Sequence, residues 1–213
     1  MPTIRELQTL KQLGRKIVGL VAWDYPMASI ADRAGVDIVS VGDIPRVQLQ
    51  DQAPQEINLD ELLIVCKAVR RGVKRALVSV DLPAHEQNVD AALRLQKCGA
   101  EMVKLIGSAD LVRSVVRAGV PVLAEFHGGK DDTPMLVDHA RRLEDAGASL
   151  LDFRHSGPGA GEAVSRAVKI PVIGGPGAGP WLDGCYASFA QITPEELSAY
   201  VEDIRKARWP STQ

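Results

Sequence analysis

"VPVLAEFHGGKDDTPMLVDHARRLEDAGASLLDFRH", residues 120–155, carries one full copy of the unit from which the chain is built. It opens on an apolar run, VPVLAEFHG (120–128), and closes on another, SLLDFRH (149–155). Between them, residues 134–146 set apolar side chains at helical spacing, and Gly147 follows where a left-handed residue ends a helix. Near-continuous apolarity in both runs, rather than strict alternation, is what parallel strands covered on both faces require. The stretch therefore reads as strand, helix, parallel strand.

The unit recurs in both directions. IVGLVAWD (17–24), VDIVSVGD (36–43), ALVSVDLP (76–83) and MVKLIGS (102–108) precede it. IPVIGG (170–175) and CYASFAQI (185–192) follow, the last being the least strand-like. Amphipathic patterns lie between them at 27–34, 59–71, 89–98, 110–118 and 161–168, with 194–207 closing the chain. Gly35, Gly72, Gly99 and Gly119 stand after helices as Gly147 does. SAD (108–110) reads as an N-terminal cap, and Thr193 three residues ahead of Glu196 as a capping box. Eight strands alternating with helices predict one (β/α)8 TIM barrel domain over residues 1–213, because right-handed crossovers of a parallel sheet close at that count. An open doubly wound sheet is the rival, but the first strand runs into WDYPMAS (23–29) instead of a glycine-rich turn.

Composition narrows the function classes. At 46% hydrophobic and 24% charged, 213 residues suit one soluble α/β domain with a full core. A net charge of −2 gives no broad attraction to nucleic acid or to an anionic membrane. No apolar stretch approaches the ~20 residues that span a bilayer, and MPTIRELQTLKQLGRK (1–16) is polar and helical rather than a leader, so a cytoplasmic setting is expected. Cys66, Cys98 and Cys185 are far apart and free of C-x-x-C spacing, and all three read as buried small side chains.

In a barrel the active site gathers at the carboxyl ends of the strands. Those ends carry Asp24, Asp43, Asp81, Lys104, Glu125 with His127, and Asp152 with Arg154 and His155. One acid at one strand end is usually a loop or cap residue, whereas six such endings converge on one mouth. Asp43 and Asp81 are each followed within two residues by proline, so each carboxylate leaves its strand at a rigid exit. Two oxygen donors with no cysteine and no tight histidine cluster suit a hard divalent cation such as Mg2+, which keeps several waters and binds substrate directly.

AWDYPMASIADRAGVDIVSVGD (22–43), VDLP (80–83), KLIG (104–107) and AVKIPVIGGPGAGPWLDG (167–184) resemble ketopantoate hydroxymethyltransferase, a (β/α)8 family of the phosphoenolpyruvate mutase and isocitrate lyase superfamily. The resemblance runs from about residue 16 to 185. It implies that Asp43 and Asp81 hold Mg2+, that Lys104 meets a small 2-oxo acid, and that Asp24 and Tyr25 lie against the substrate. A Mg2+-dependent C–C bond reaction at C3 of the 2-oxo acid, through an enolate, is the implied activity, in a homo-oligomer.

Three departures bear on specificity. Asp43-Ile44 stands where the family has Asp-Ser, Ile106 where it has a second carboxylate, and Arg154 where it has the glutamate proposed as base. An arginine, with a pKa above ~12, is no ordinary base near neutral pH. Glu125, His127, Asp152 and His155 are the candidate replacements, and Arg154 is suited to a substrate anion. HGGKDDTPML (127–136) is also short where the family has a longer loop, which counts against methylenetetrahydrofolate as co-substrate. Two alternatives stand beside the leading one: a lyase or mutase acting on a dicarboxylate or phosphonate, and a catalytically silent relative that keeps ligand binding. GGPGAGP (174–180) reads as a tight turn near the substrate rather than a phosphate cradle.

Overall fold

Each apolar run becomes a strand: β1 Ile17–Val21, β2 Ile38–Val41, β3 Leu77–Asp81, β4 Met102–Ile106, β5 Val122–His127, β6 Leu150–Arg154, β7 Val172–Gly174 and β8 Gly184–Ala187. These strands pair in parallel in chain order, and β8 closes on β1, so the sheet is a closed barrel. A computed structural model of the chain describes residues 3–42, 58–129, 132–175, 178–189 and 191–208. Asp43 lies outside the described residues.

Eight helices occur among the described residues: α1 Ile4–Gln12, α2 Tyr25–Ala34, α3 Leu59–Gly72, α4 Val89–Lys97, α5 Ala109–Arg117, α6 Thr133–Asp145, α7 Pro158–Ala167 and α8 Pro194–Arg205. Both expected caps form. Ser108 accepts from the Leu111 N–H at the start of α5, and Thr193 and Glu196 make the reciprocal capping box of α8. None of the described helices is long and apolar enough to cross a membrane.

Gly35, Gly99, Gly119 and Gly147 have positive φ after their helices, as expected, but Gly72 does not. It is the last residue of α3, and an added Cβ would lie 2.7 Å from the Tyr25 carbonyl oxygen and 3.0 Å from the Ala28 Cβ. Close packing of α3 on α2 demands that glycine, not a left-handed turn. Cys66 and Cys185 are buried, whereas Cys98 is partly exposed because it caps α4 at a turn.

Inside the barrel the inward side chains change character along the axis. At the amino end, Ile17, Ile38, Leu77, Met102, Leu123 and Leu150, each the first or second residue of its strand, pack with Leu7 of α1. Helix α1 thus plugs the lower end. Period two along a strand then brings Lys104, Glu125 and Asp152 inward one step higher, so the apolar plug is the floor of a charged layer. Truncating the fully buried Leu7 to alanine is expected to cost about 2–5 kcal/mol. Urea unfolding checks this, and a change below ~1 kcal/mol would mean that the plug collapses without a cavity.

Candidate active site

Lys104 is the hub of the charged layer. Its Nζ lies 2.7 Å from Asp81 Oδ2, 3.0 Å from Glu125 Oε2 and 3.6 Å from Asp152 Oδ2, so one ammonium from β4 bridges the carboxylates of β3, β5 and β6. Arg154 forms a second bridge, with Nε 3.0 Å from Asp152 Oδ2 and a terminal nitrogen 3.6 Å from Glu125 Oε2. The three acids thus outnumber the two cations, and Asp152 Oδ1 has no hydrogen-bond partner among the described residues.

Burial alone would discharge these groups. It pulls the Lys104 ammonium downward, but Asp81, Tyr186, Asp152 and Glu125 hold its pKa well above the ordinary lysine value. Burial likewise pushes the Glu125 carboxyl up, yet Lys104 and Arg154, with hydrogen bonds from Lys104 and His127, hold it below the usual range. Arg154 is raised in the same way, burial being outweighed by Asp152, Tyr186 and Glu125. All three are charged near neutral pH, and neither cation can act as a base.

Tyr186 of β8 was not foreseen from the sequence. Its hydroxyl donates to Asp152 Oδ2 at 2.6 Å, and Arg154 lies over its ring at 5.0 Å. Burial drives the phenol pKa well above its ordinary value, so it remains a donor. Gly19 makes room for it, because a Cβ there would sit 2.7 Å from the Tyr186 Cβ. The only signal was an aromatic residue at the second position of the weakest strand.

The other expected residues divide into two groups. Glu125 Oε1 meets His127 Nε2 at 2.9 Å, and the His127 side chain is half exposed at the rim. His155 is exposed, has a left-handed backbone (φ 52°), and its ring centroid lies 5.8 Å from that of His127. Asp24, by contrast, caps α2, its Oδ1 accepting from the Met27 N–H at 2.8 Å, and Tyr25 is exposed in the first turn of that helix. The structure shows no contact between either of them and the cluster.

Above the ion-paired layer is a recess of about 160 Å³, lined by Asp81, Gln87, Lys104, Ile106, Glu125 and Arg154. Ile106 is half exposed on its rim, at the position where a carboxylate was absent from the sequence pattern. The recess offers a carboxylate at one side, a fixed ammonium at its base and a guanidinium opposite. Such a site recognises a small anion with a polar neighbour and holds it against a preformed charge. No group of three or more His, Cys, Asp or Glu side chains is arranged to hold a metal ion among the described residues.

Comparison with known proteins gives a consistent picture. The family model for ketopantoate hydroxymethyltransferase matches residues 2–128. The 3-methyl-2-oxobutanoate hydroxymethyltransferase of Cyanothece sp. is 37% identical over 210 residues, covering 85% of this chain and 80% of that protein. The protein of the same name from Chloroflexus aggregans is 30% identical over 256 residues, covering 99% and 92%. Among solved structures, a phosphonopyruvate hydrolase complexed with oxalate and Mg2+ superposes with a TM-score of 0.71 at 14% identity, covering 97% of this chain and 85% of that one. At these levels the solved structure supports the fold, and the sequence relatives carry the family.

Proposed function

The chain belongs to the ketopantoate hydroxymethyltransferase family, and from that premise we propose that it makes or breaks a C–C bond at C3 of a small 2-oxo acid. The observation that carries this reading is Lys104, an ammonium locked in its charged form beside Asp81 at the base of the recess. A 2-oxo acid presents a carboxylate and a keto oxygen side by side, and Lys104 can take either without moving a proton. Arg154 and Tyr186 fix the back wall of the recess, and the apolar Ile106 side chain shields one edge of it from water.

A divalent cation is part of the proposal. Mg2+ is satisfied by one or two carboxylates plus waters and substrate oxygens, so it does not need a cage of three protein ligands. Asp81 fits that demand: a carboxylate at the carboxyl end of β3, in a cluster whose acids outnumber its cations and which has no thiolate nearby. Asp43 is the second ligand in this reading. Bound there, the cation would supply Lewis-acid stabilisation of negative charge on the substrate oxygens.

Arg154 favours a second reading, in which the substrate carries an additional anion and the enzyme is a lyase or mutase acting on a dicarboxylate or phosphonate. The guanidinium lines the recess, although Asp152 already engages its Nε. Titration calorimetry with 2-oxoisovalerate and with 2-oxo dicarboxylates, with and without Mg2+, separates the two. The leading reading expects Mg2+-dependent binding of 2-oxoisovalerate, weakened at least ~10-fold in Asp81→Asn. Tighter binding of a dicarboxylate, lost in Arg154→Met, favours the second. No binding of any of these acids would leave a silent relative.

Helix α6 starts at Thr133, soon after β5 ends at His127. The short connection favours a free aldehyde over methylenetetrahydrofolate as one-carbon partner. Cytoplasmic, homo-oligomeric enzymes acting on metabolites, without nucleic acid or membrane, fit this proposal.

A further inference from the structure

We infer that His127, oriented by Glu125, is the base that takes the C3 proton, an inference that rests on the 2-oxo acid reading above. The site needs a neutral base, and its other groups are already engaged. Lys104 and Arg154 are cations, and Asp81 and Asp152 are bound at 2.7 and 3.0 Å to those cations. Glu125 carries its own ion pair with Lys104 at 3.0 Å and the hydrogen bond to His127 at 2.9 Å. His127 is two residues beyond Glu125 on β5, so its side chain leaves the same face of the strand one step nearer the mouth.

The pairing assigns the tautomer. Glu125 is a carboxylate and can only accept, so Nε2 of His127 carries the hydrogen and Nδ1 keeps a lone pair. When Nδ1 takes the C3 proton, the C–H electron pair becomes the C2–C3 double bond and the keto oxygen takes the negative charge. The imidazolium so formed remains against the Glu125 carboxylate, which offsets its charge. Because half of the His127 side chain is exposed, the proton can pass on to solvent.

The groups around the imidazole are mixed in charge. Glu125 faces it on its own strand, with Lys104 and Arg154 behind that carboxylate. His155 approaches from beyond β6. On the far side, Asp138, His139 and Arg142 of α6 line a second recess of about 280 Å³ that also reaches His127. That recess and the exposure give a small molecule access to the space that the ring occupies.

Deuterium exchange at C3 of 2-oxoisovalerate tests the assignment. His127→Ala is expected to slow exchange by about 10²- to 10⁴-fold, the usual effect of losing a general base, while the dissociation constant of the acid is retained. Added imidazole is expected to restore part of the rate in that variant only. Glu125→Gln is expected to move the acid limb of the pH–rate profile to lower pH, since the imidazolium loses its partner charge. Exchange within threefold of the unaltered enzyme in His127→Ala, or the loss appearing in His155→Ala instead, would overturn the inference and leave the 2-oxo acid reading intact. An acid limb unmoved in Glu125→Gln would overturn the part given to Glu125. Absence of exchange in the unaltered enzyme would overturn both.

Discussion

Replacing Lys104 with methionine is expected to destabilise the protein by about 3–5 kcal/mol and to abolish binding of the 2-oxo acid. Methionine fills nearly the same volume, so the loss is electrostatic rather than a cavity. Three buried carboxylates would face one another with only Arg154 to balance them. The pH dependence gives the sharper result. In the unaltered protein Glu125 titrates below its ordinary value of about 4.3, so its contribution is complete above that value and is lost as pH falls through the folded one. Lys104 is held above its ordinary value of about 10.4, so its contribution is complete below that pH and is lost as pH rises through the folded one. Without Lys104 the carboxyls are pushed upward, and stability then falls as pH rises through the carboxylate range. The variant is therefore expected to be more stable relative to the unaltered protein at pH 5 than at pH 7.5. Chemical denaturation at the two pH values checks this, and a penalty equal at both would remove Lys104 from the hub.

Asp152→Ala is expected to cost a similar amount, about 3–5 kcal/mol, because it takes the acceptor from a fully buried cluster. Its Oδ2 receives the Tyr186 hydroxyl at 2.6 Å and Arg154 Nε at 3.0 Å, with Lys104 Nζ at 3.6 Å. Truncation leaves a buried phenol without its acceptor and two cations with two acids. Asp152→Asn keeps the shape and one acceptor oxygen, and so is expected to lose markedly less. Thermal unfolding of the pair measures the difference. Equal losses in both would point to the negative charge alone, and no loss in either would mean that Asp152 is not part of the structural frame.

Much of the fold was legible because a barrel repeats a short-range pattern. Strands β1 to β6 could be recognised by apolarity on both faces, since their outward side chains meet helices and their lower inward ones meet the α1 plug. Helix ends were equally local: Ser108, Thr193 and Gly147 act within a few residues of themselves. The site was legible as a set of strand ends but not as a network. Nothing near Lys104 in the sequence shows that it bridges Asp81, Glu125 and Asp152, because closure of the barrel alone brings residues so far apart together. Tyr186 escaped notice because β8 is short and follows a glycine-rich turn, which weakens the strand signal around it. Asp24 shows the converse: its place after a strand suggested substrate, while the same place before a helix made it a cap. Gly72 was similar, a glycine after a helical pattern whose reason lies in the neighbouring helix.

The central claim is proton abstraction from a 2-oxo acid at this barrel mouth, and proton NMR in heavy water addresses it most directly. With Mg2+ present, the C3 proton of 2-oxoisovalerate is expected to disappear at a rate proportional to enzyme concentration. Removing the metal with a chelator, or replacing Asp81 with asparagine, is expected to reduce that rate to the buffer value. Persistence of the C3 signal with enzyme and Mg2+, or exchange indifferent to both the chelator and Asp81→Asn, would contradict the account.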